Sequence, residues 1–188
     1  MRFLRLSNSS ETVYDSCLPD YFDVIDLEPV DSEYKYRGDA VLRYEGSPEL
    51  IYETGETFLS AVKQLGVDVY WAGPVDGAKY TLSSPAEGQV YVRYLPNGDG
   101  LTDTKPNYVV IATYTTTNAF SATQAAGNQS NGVTFVNTEG AAVFYNKDTP
   151  TNVYVAYPNL NFQVEIFNPI AATALEIAST NGALRLVK

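Results

Sequence analysis

Catalysis and metal binding draw on a short list of side chains, and this chain lacks most of it. It has no histidine and a single cysteine, Cys17. A Ser-His or Cys-His catalytic pair therefore cannot be built, and neither can a zinc site of His and Cys ligands. Carboxylates are what remains. A glycosidase sets an Asp or Glu acid and an Asp or Glu base on either side of a sugar, but none of the 22 acidic residues is singled out by its spacing. Those between 15 and 33 fall in a weakly patterned region, where the burial that raises a carboxyl pKa is hard to arrange. Glu165 and Glu176 alternate with apolar neighbours, which predicts the outer face of a strand for each.

Other candidates fall short in specific ways. Asn97-Gly98-Asp99-Gly100, followed by Asp103, matches part of a calcium loop, yet Leu95 and Pro106 stand where the first and last ligands belong. A polar hairpin loop is the expectation there. Gly73-Pro74-Val75-Asp76-Gly77 lacks the Lys-Ser/Thr that follows a phosphate loop. Trp71, beside Tyr70, is expected in the core or an interface, with a sugar-stacking platform as the other reading. Cys17 has no basic neighbour and reads as a small packing residue. No catalytic, metal-ligating or cofactor-binding residue is assigned, and neither an enzymatic activity nor a cofactor is expected.

The elements that would position any site read as short strands. Val90–Leu95, Tyr108–Tyr114, Val133–Val136, Ala142–Tyr145, Val153–Tyr157 and Phe162–Phe167 are β-branched and aromatic, with Gly, Pro, Asn or Asp at most breaks. Leu175–Ala178 and Leu184–Val187 extend the series. Asn181-Gly182 and Asn131-Gly132 are expected to be hairpin turns, because both residue types tolerate positive φ. One helix is predicted over residues 57–65, where Phe58, Ala61, Val62 and Leu65 share a face and Gly66 offers the end. The fold class is thus mainly β: an antiparallel sandwich, jelly-roll-like, or a barrel, with one short helix. Residues 1–55 are expected to form an acidic N-terminal segment beside a β-domain of 56–188. Short strands near 33–44 and 49–53 are one reading of it, and an extended arm folded against the β-domain or a neighbouring subunit is equally compatible.

Charge narrows the partners. The net charge is −10, with 13 acids against 5 bases in residues 1–60. That balance disfavours nucleic acid, whose phosphates need clustered Lys and Arg, and an anionic membrane surface. One cysteine permits no internal disulfide. Met1–Leu6 begins like a secretory signal, but Ser7-Asn8-Ser9-Ser10 ends the apolar run early, and no stretch approaches a membrane span. Residues 115–132 are uncharged and rich in Thr, Ala, Asn, Gln and Gly, a composition that suits packing on a partner as well as a loop.

The Tyr/Thr/Asn-rich strands from Val90 to Phe167, the 115–132 stretch and the Asn181-Gly182 turn together resemble the accessory structural proteins of tailed bacteriophages, above all capsid decoration (cement) proteins. The resemblance is one of composition and architecture across most of the chain, without a specific motif. It implies a homo-oligomer, a trimer by expectation, made in the host cytoplasm and bound to the major capsid protein on the outside of the virion. The N-terminal segment (Phe3, Leu4, Tyr21, Phe22) and the neutral stretch (Thr115, Thr116, Asn118, Phe120) are the contact residues it suggests. The alternative reading is a receptor- or carbohydrate-binding module of a tail fibre or adhesin, using Trp71 and exposed tyrosines.

Overall fold

A computed structural model of the chain describes residues 49–98 and 107–188, together with the strands at 3–5, 12–14, 27–30, 33–36 and 40–43. The chain is mainly β and antiparallel. A sheet of eleven strands runs in the order β11-β12-β13-β14-β10-β9-β8-β6-β5-β4-β3. Its members are β3 (Leu27–Val30), β4 (Glu33–Tyr36), β5 (Ala40–Arg43), β6 (Glu49–Tyr52), β8 (Ala78–Ala86), β9 (Gln89–Pro96), β10 (Val109–Thr115), β11 (Gly132–Val136), β12 (Ala142–Asn146), β13 (Asn152–Ala156) and β14 (Phe162–Phe167). Two separate ribbons pair β1 (Phe3–Arg5) with β2 (Thr12–Tyr14), and β7 (Val69–Trp71) with β15 (Arg185–Val187).

Period-two burial sets the register. In β9, Val90, Val92 and Tyr94 are buried while Gln89, Tyr91 and Arg93 turn to the other face. Across the sheet Val92 stands opposite Leu82 and Ile111, Ile111 opposite Ile166, and Val164 opposite both Thr113 and Val155. A one-residue slip would bring the polar set inward, so this core fixes the pairing. Ile111, Val92, Val153, Val155, Val164 and Ile166 are completely buried.

What covers this inner face is a mixed layer. Helix α1 (Gly55–Leu65) lies on β6 and β8, the β7–β15 ribbon on β9 and β10, and helix α3 (Ala171–Ser179) on β13 and β14. Buried Phe58 of α1 stacks on Trp71 of β7 at 5.2 Å and meets Tyr80 of β8 at 5.8 Å. Polar ties fix the layer: the Tyr70 N–H donates to buried Thr113 Oγ1 (2.9 Å), and the Ala72 N–H to the Tyr94 hydroxyl (2.6 Å). Helix α1 begins in a capping box, with Thr54 and Thr57 bonding each other's backbone N–H, and ends at Gly66 in the left-handed region.

Several sequence expectations change. The sheet does not close into a barrel, because the edge strands β3 and β11 do not pair with each other. Opposite it, among the described residues, lies a two-stranded ribbon with helices and not a second broad sheet. Among the described residues there are three helices, where the sequence suggested one. Helix α2 (Ala119–Ala126) occupies part of the stretch read as loop or contact surface. Its buried positions are Ala119 and Thr123, too small to print an apolar stripe in the sequence. Leu175–Ala178, read as a strand, lies within α3, and Glu176 is exposed on a helix. There the buried pair is Ala174 and Ala178, one turn apart, which the alternation of Leu175, Glu176 and Ile177 masks. Asn131 and Gly182 do take positive φ, as a turn needs, but their turns join helix to strand: α2 to β11 and α3 to β15. Strands β3–β6, from within the 1–55 segment, continue the main sheet through the β6–β8 pairing.

Candidate functional site

Two surfaces distinguish the outer face of the sheet. The first follows from register. Gln89, Tyr114 and Gln163 stand side by side on β9, β10 and β14, and Glu165 on β14 stands opposite Tyr154 on β13. With Glu87 and Gly88 of the β8–β9 turn, Thr115 at the end of β10 and Thr116 just after it, they line an open cleft of about 380 Å³.

Glu165 organises this cleft. Its Oε2 accepts from the Tyr114 hydroxyl (2.7 Å), and its Oε1 accepts from Asn152 Nδ2 (2.6 Å) and the Tyr154 hydroxyl (3.1 Å). Tyr114 also shares a hydroxyl contact with Tyr91 at 3.3 Å. Burial, then the Tyr91 and Glu165 contacts, push the Tyr114 phenol far above its ordinary range. Burial and the charge and hydrogen bond of Glu165 push Tyr154 up to about 12. These phenols therefore stay protonated at any physiological pH and act as donors to the carboxylate. Three donors already occupy Glu165, so it is arranged as a fixed acceptor and orienter, with a preorganised ring beside it. The sequence places Glu165 on an outer strand face, as found; its partners, up to 51 residues away, appear only with the strand register.

The second surface is neutral. Residues 106–138 contain no charged side chain. The structure puts the described part of that run into the interior strand β10, helix α2 and the edge strand β11. Helix α2 lies on the outer face of β11–β14, where Thr123 accepts from Gln163 Nε2 (2.9 Å). Its solvent side presents Ser121, Ala122, Gln124 and Ala125, continued by Asn128, Gln129, Ser130 and Asn131. Beside it runs the edge strand β11. The Asn137 N–H bonds Ala141 O and the Lys147 N–H bonds Asn131 O. These bonds fix the phase: odd-numbered residues of β11 bond β12, while Thr134 and Val136 turn their backbone N–H and C=O outward. Val136 is 53% exposed. Natural edges are usually blunted by charge, proline or a bulge; β11 reads Gly-Val-Thr-Phe-Val and has no charge or proline.

The suggested contact residues separate accordingly. Thr115 and Asn118 are exposed, and Thr116 and Phe120 are half-buried. Thr115 and Thr116 border the cleft, whereas Asn118 is the left-handed N-cap of α2 and Phe120 lies in its first turn. Phe3 and Leu4 belong to β1, with their side chains outside the described residues, as are Tyr21, Phe22 and Cys17 altogether. Trp71 is 3% exposed, so its ring packs the core and cannot serve as a sugar platform. Asn97 and Gly98 form a left-handed turn after β9; Asp99 and Asp103 lie outside the described residues. Among the described residues no group of three or more His, Cys, Asp or Glu is placed to hold a metal ion, and no helix is long and apolar enough to cross a membrane. No protein-family model, no curated protein and no solved structure matches this chain.

Proposed function

We propose that this chain is a non-enzymatic structural protein of a virus particle, which binds the outer surface of an assembled capsid as a homo-oligomer and stabilises it. The observation that carries the reading is the neutral α2–β11 surface with its outward-facing edge strand. A chain of net charge −10 repels its own copies and acidic partners over most of its surface. A face without ionised groups removes that repulsion and leaves no charge to desolvate on contact. The unpaired backbone groups of Thr134 and Val136 add directional donors and acceptors. Binding to the assembled shell and not to free subunits stabilises the shell by mass action, and many copies bridging neighbours multiply a weak contact.

The test is co-sedimentation with assembled tailed-phage shells, with unassembled capsid protein as the comparison, alongside mass in solution by light scattering. Retention by shells alone, and a mass above 20.6 kDa for the free or shell-bound species, are the expected results. Val136→Lys, which puts a charge on the exposed edge, should weaken retention at least tenfold while leaving the melting temperature within a few degrees. A monomer that no shell retains would overturn the reading.

A further inference from the structure

The cleft around Tyr114 adjoins the α2–β11 face, but its chemistry is of another kind. We propose that it is a binding site for a neutral carbohydrate chain, formed by the Tyr114 ring between Gln89 and Gln163, with Glu87, Glu165 and the Thr115–Thr116 hydroxyls around it.

The argument starts from what a sugar presents: hydroxyls that both donate and accept, on a ring with weakly apolar C–H faces. A site for it needs donors and acceptors interleaved around an aromatic surface. The register supplies this arrangement, since Gln89 and Gln163 flank Tyr114 directly on the neighbouring strands. Gln163 gives its Nε2 to Thr123 and so is fixed with Oε1 left to accept. Glu87 is exposed and has no partner among the described residues. Glu165 is held by Asn152 and two phenols, which fill both lone pairs of Oε1 and leave Oε2 room to accept one hydroxyl. The Tyr114 ring cannot swing freely, because its hydroxyl is bonded to Glu165 and the ring packs perpendicular to Tyr91 at 5.9 Å. A side chain immobilised before binding loses less entropy when the ligand arrives.

Sign and stereochemistry exclude the competing ligands. No Lys or Arg lines the cleft, while two carboxylates do, so phosphates, sulfated glycans and uronic acids are repelled. A basic peptide would suit the carboxylates, and the polylysine comparison below distinguishes it from a neutral chain. An open shape of about 380 Å³, roofless on the solvent side, accepts an internal stretch of a chain as readily as its end.

Native affinity electrophoresis of the full chain tests this. The gels contain α-glucan, β-glucan, mannan or galactan in turn, with heparin and polylysine as the charged comparisons. Retardation by at least one neutral polymer is expected, and its apparent affinity should fall about tenfold in Gln163→Ala and in Tyr114→Ala. Tyr114→Phe keeps the ring and serves as the folding-safe companion; it should retain most of the retardation if the ring face is the contact. Thermal melts of each variant separate lost binding from lost fold. Retardation by no neutral polymer, retardation by heparin or polylysine alone, or unchanged retardation in folded Gln163→Ala and Tyr114→Ala variants would each overturn the proposal. Since Val136→Lys leaves the cleft intact, its retardation is expected to match the parent whatever becomes of shell binding.

Discussion

Alkaline pH is the perturbation to which this core is most sensitive, because it is built on buried phenols. Tyr52, Tyr70 and Tyr94 are 4%, 3% and 4% exposed. Burial raises all three above the ordinary value of 10.0; Tyr70, with Asp68 and Glu139 adding to the effect, reaches about 12, and the other two go further. A folded-state pKa above the unfolded one gives stability that is complete below pH 10 and is lost as pH climbs through the folded pKa. At pH 11 the unfolded chain ionises each phenol while the folded chain holds it neutral, a difference of about 1.4 kcal/mol per residue. Together the three remove about 4 kcal/mol, a large share of the roughly 5–15 kcal/mol that holds a domain folded. With a urea dependence of roughly 2 kcal/mol per molar, the denaturation midpoint should drop by about 2 M between pH 8 and pH 11. Urea titrations across that range, with tyrosinate absorbance followed on the folded protein, measure both sides of the linkage. A midpoint unchanged at pH 11, with these phenols ionising near 10 in the folded state, would refute the reasoning. The Lys79–Glu53 pair, at 2.8 Å and about one-third exposed, contributes little to this balance.

Three substitutions probe other parts of the argument. Phe58→Ala should cost about 3–5 kcal/mol in urea unfolding, because the ring is fully buried against Trp71, Tyr52 and Tyr80, and Trp71 fluorescence should shift with it. Gly132→Ala should destabilise by about 1–3 kcal/mol in the same assay: its Cβ would stand 2.9–3.0 Å from three backbone carbonyl oxygens of the α2–β11 turn, which have no side-chain freedom to retreat. Glu165→Gln should lower the pH at which Tyr114 and Tyr154 ionise, seen as tyrosinate absorbance appearing earlier in an alkaline titration, since the charge that opposes their ionisation is gone.

The strands were legible where side chains carry the signal themselves. Val90–Leu95, Val153–Tyr157 and Phe162–Phe167 hold β-branched and aromatic residues at alternate positions, and each lies on or overlaps a strand of the sheet. Helix α1 was legible because Phe58 and Val62 fall one turn apart and both are buried. Helices α2 and α3 were not, because alanines and a threonine make their contacts, and small residues leave no amphipathic stripe. Strand β8 was obscured by Ser84-Pro85, where the register with β9 shifts; an irregular position of this kind is where a strand tolerates proline. The cleft was illegible for a different reason. Gln163 and Glu165 share the outer face of β14, but only the β10–β14 pairing brings Tyr114, about fifty residues earlier, beside them. By contrast the neutral surface needed no fold to be noticed, only a fold to be given a shape.

The order of strands carries a kinetic consequence. β8-β9-β10 and β11-β12-β13-β14 are each meanders of sequential neighbours, whose pairings close over far less chain than the seam between them. They meet at one seam, β10 against β14, where Ile111 faces Ile166 across more than fifty residues of chain. Loop-closure entropy must be met at that seam before its contacts reward it, so the search for the seam, and not the closing of any hairpin, is the slow event in assembling the sheet. The Tyr114–Glu165 bond spans the same seam. The cleft therefore comes into being only when the two halves have found each other, and its formation reports directly on that long-range pairing.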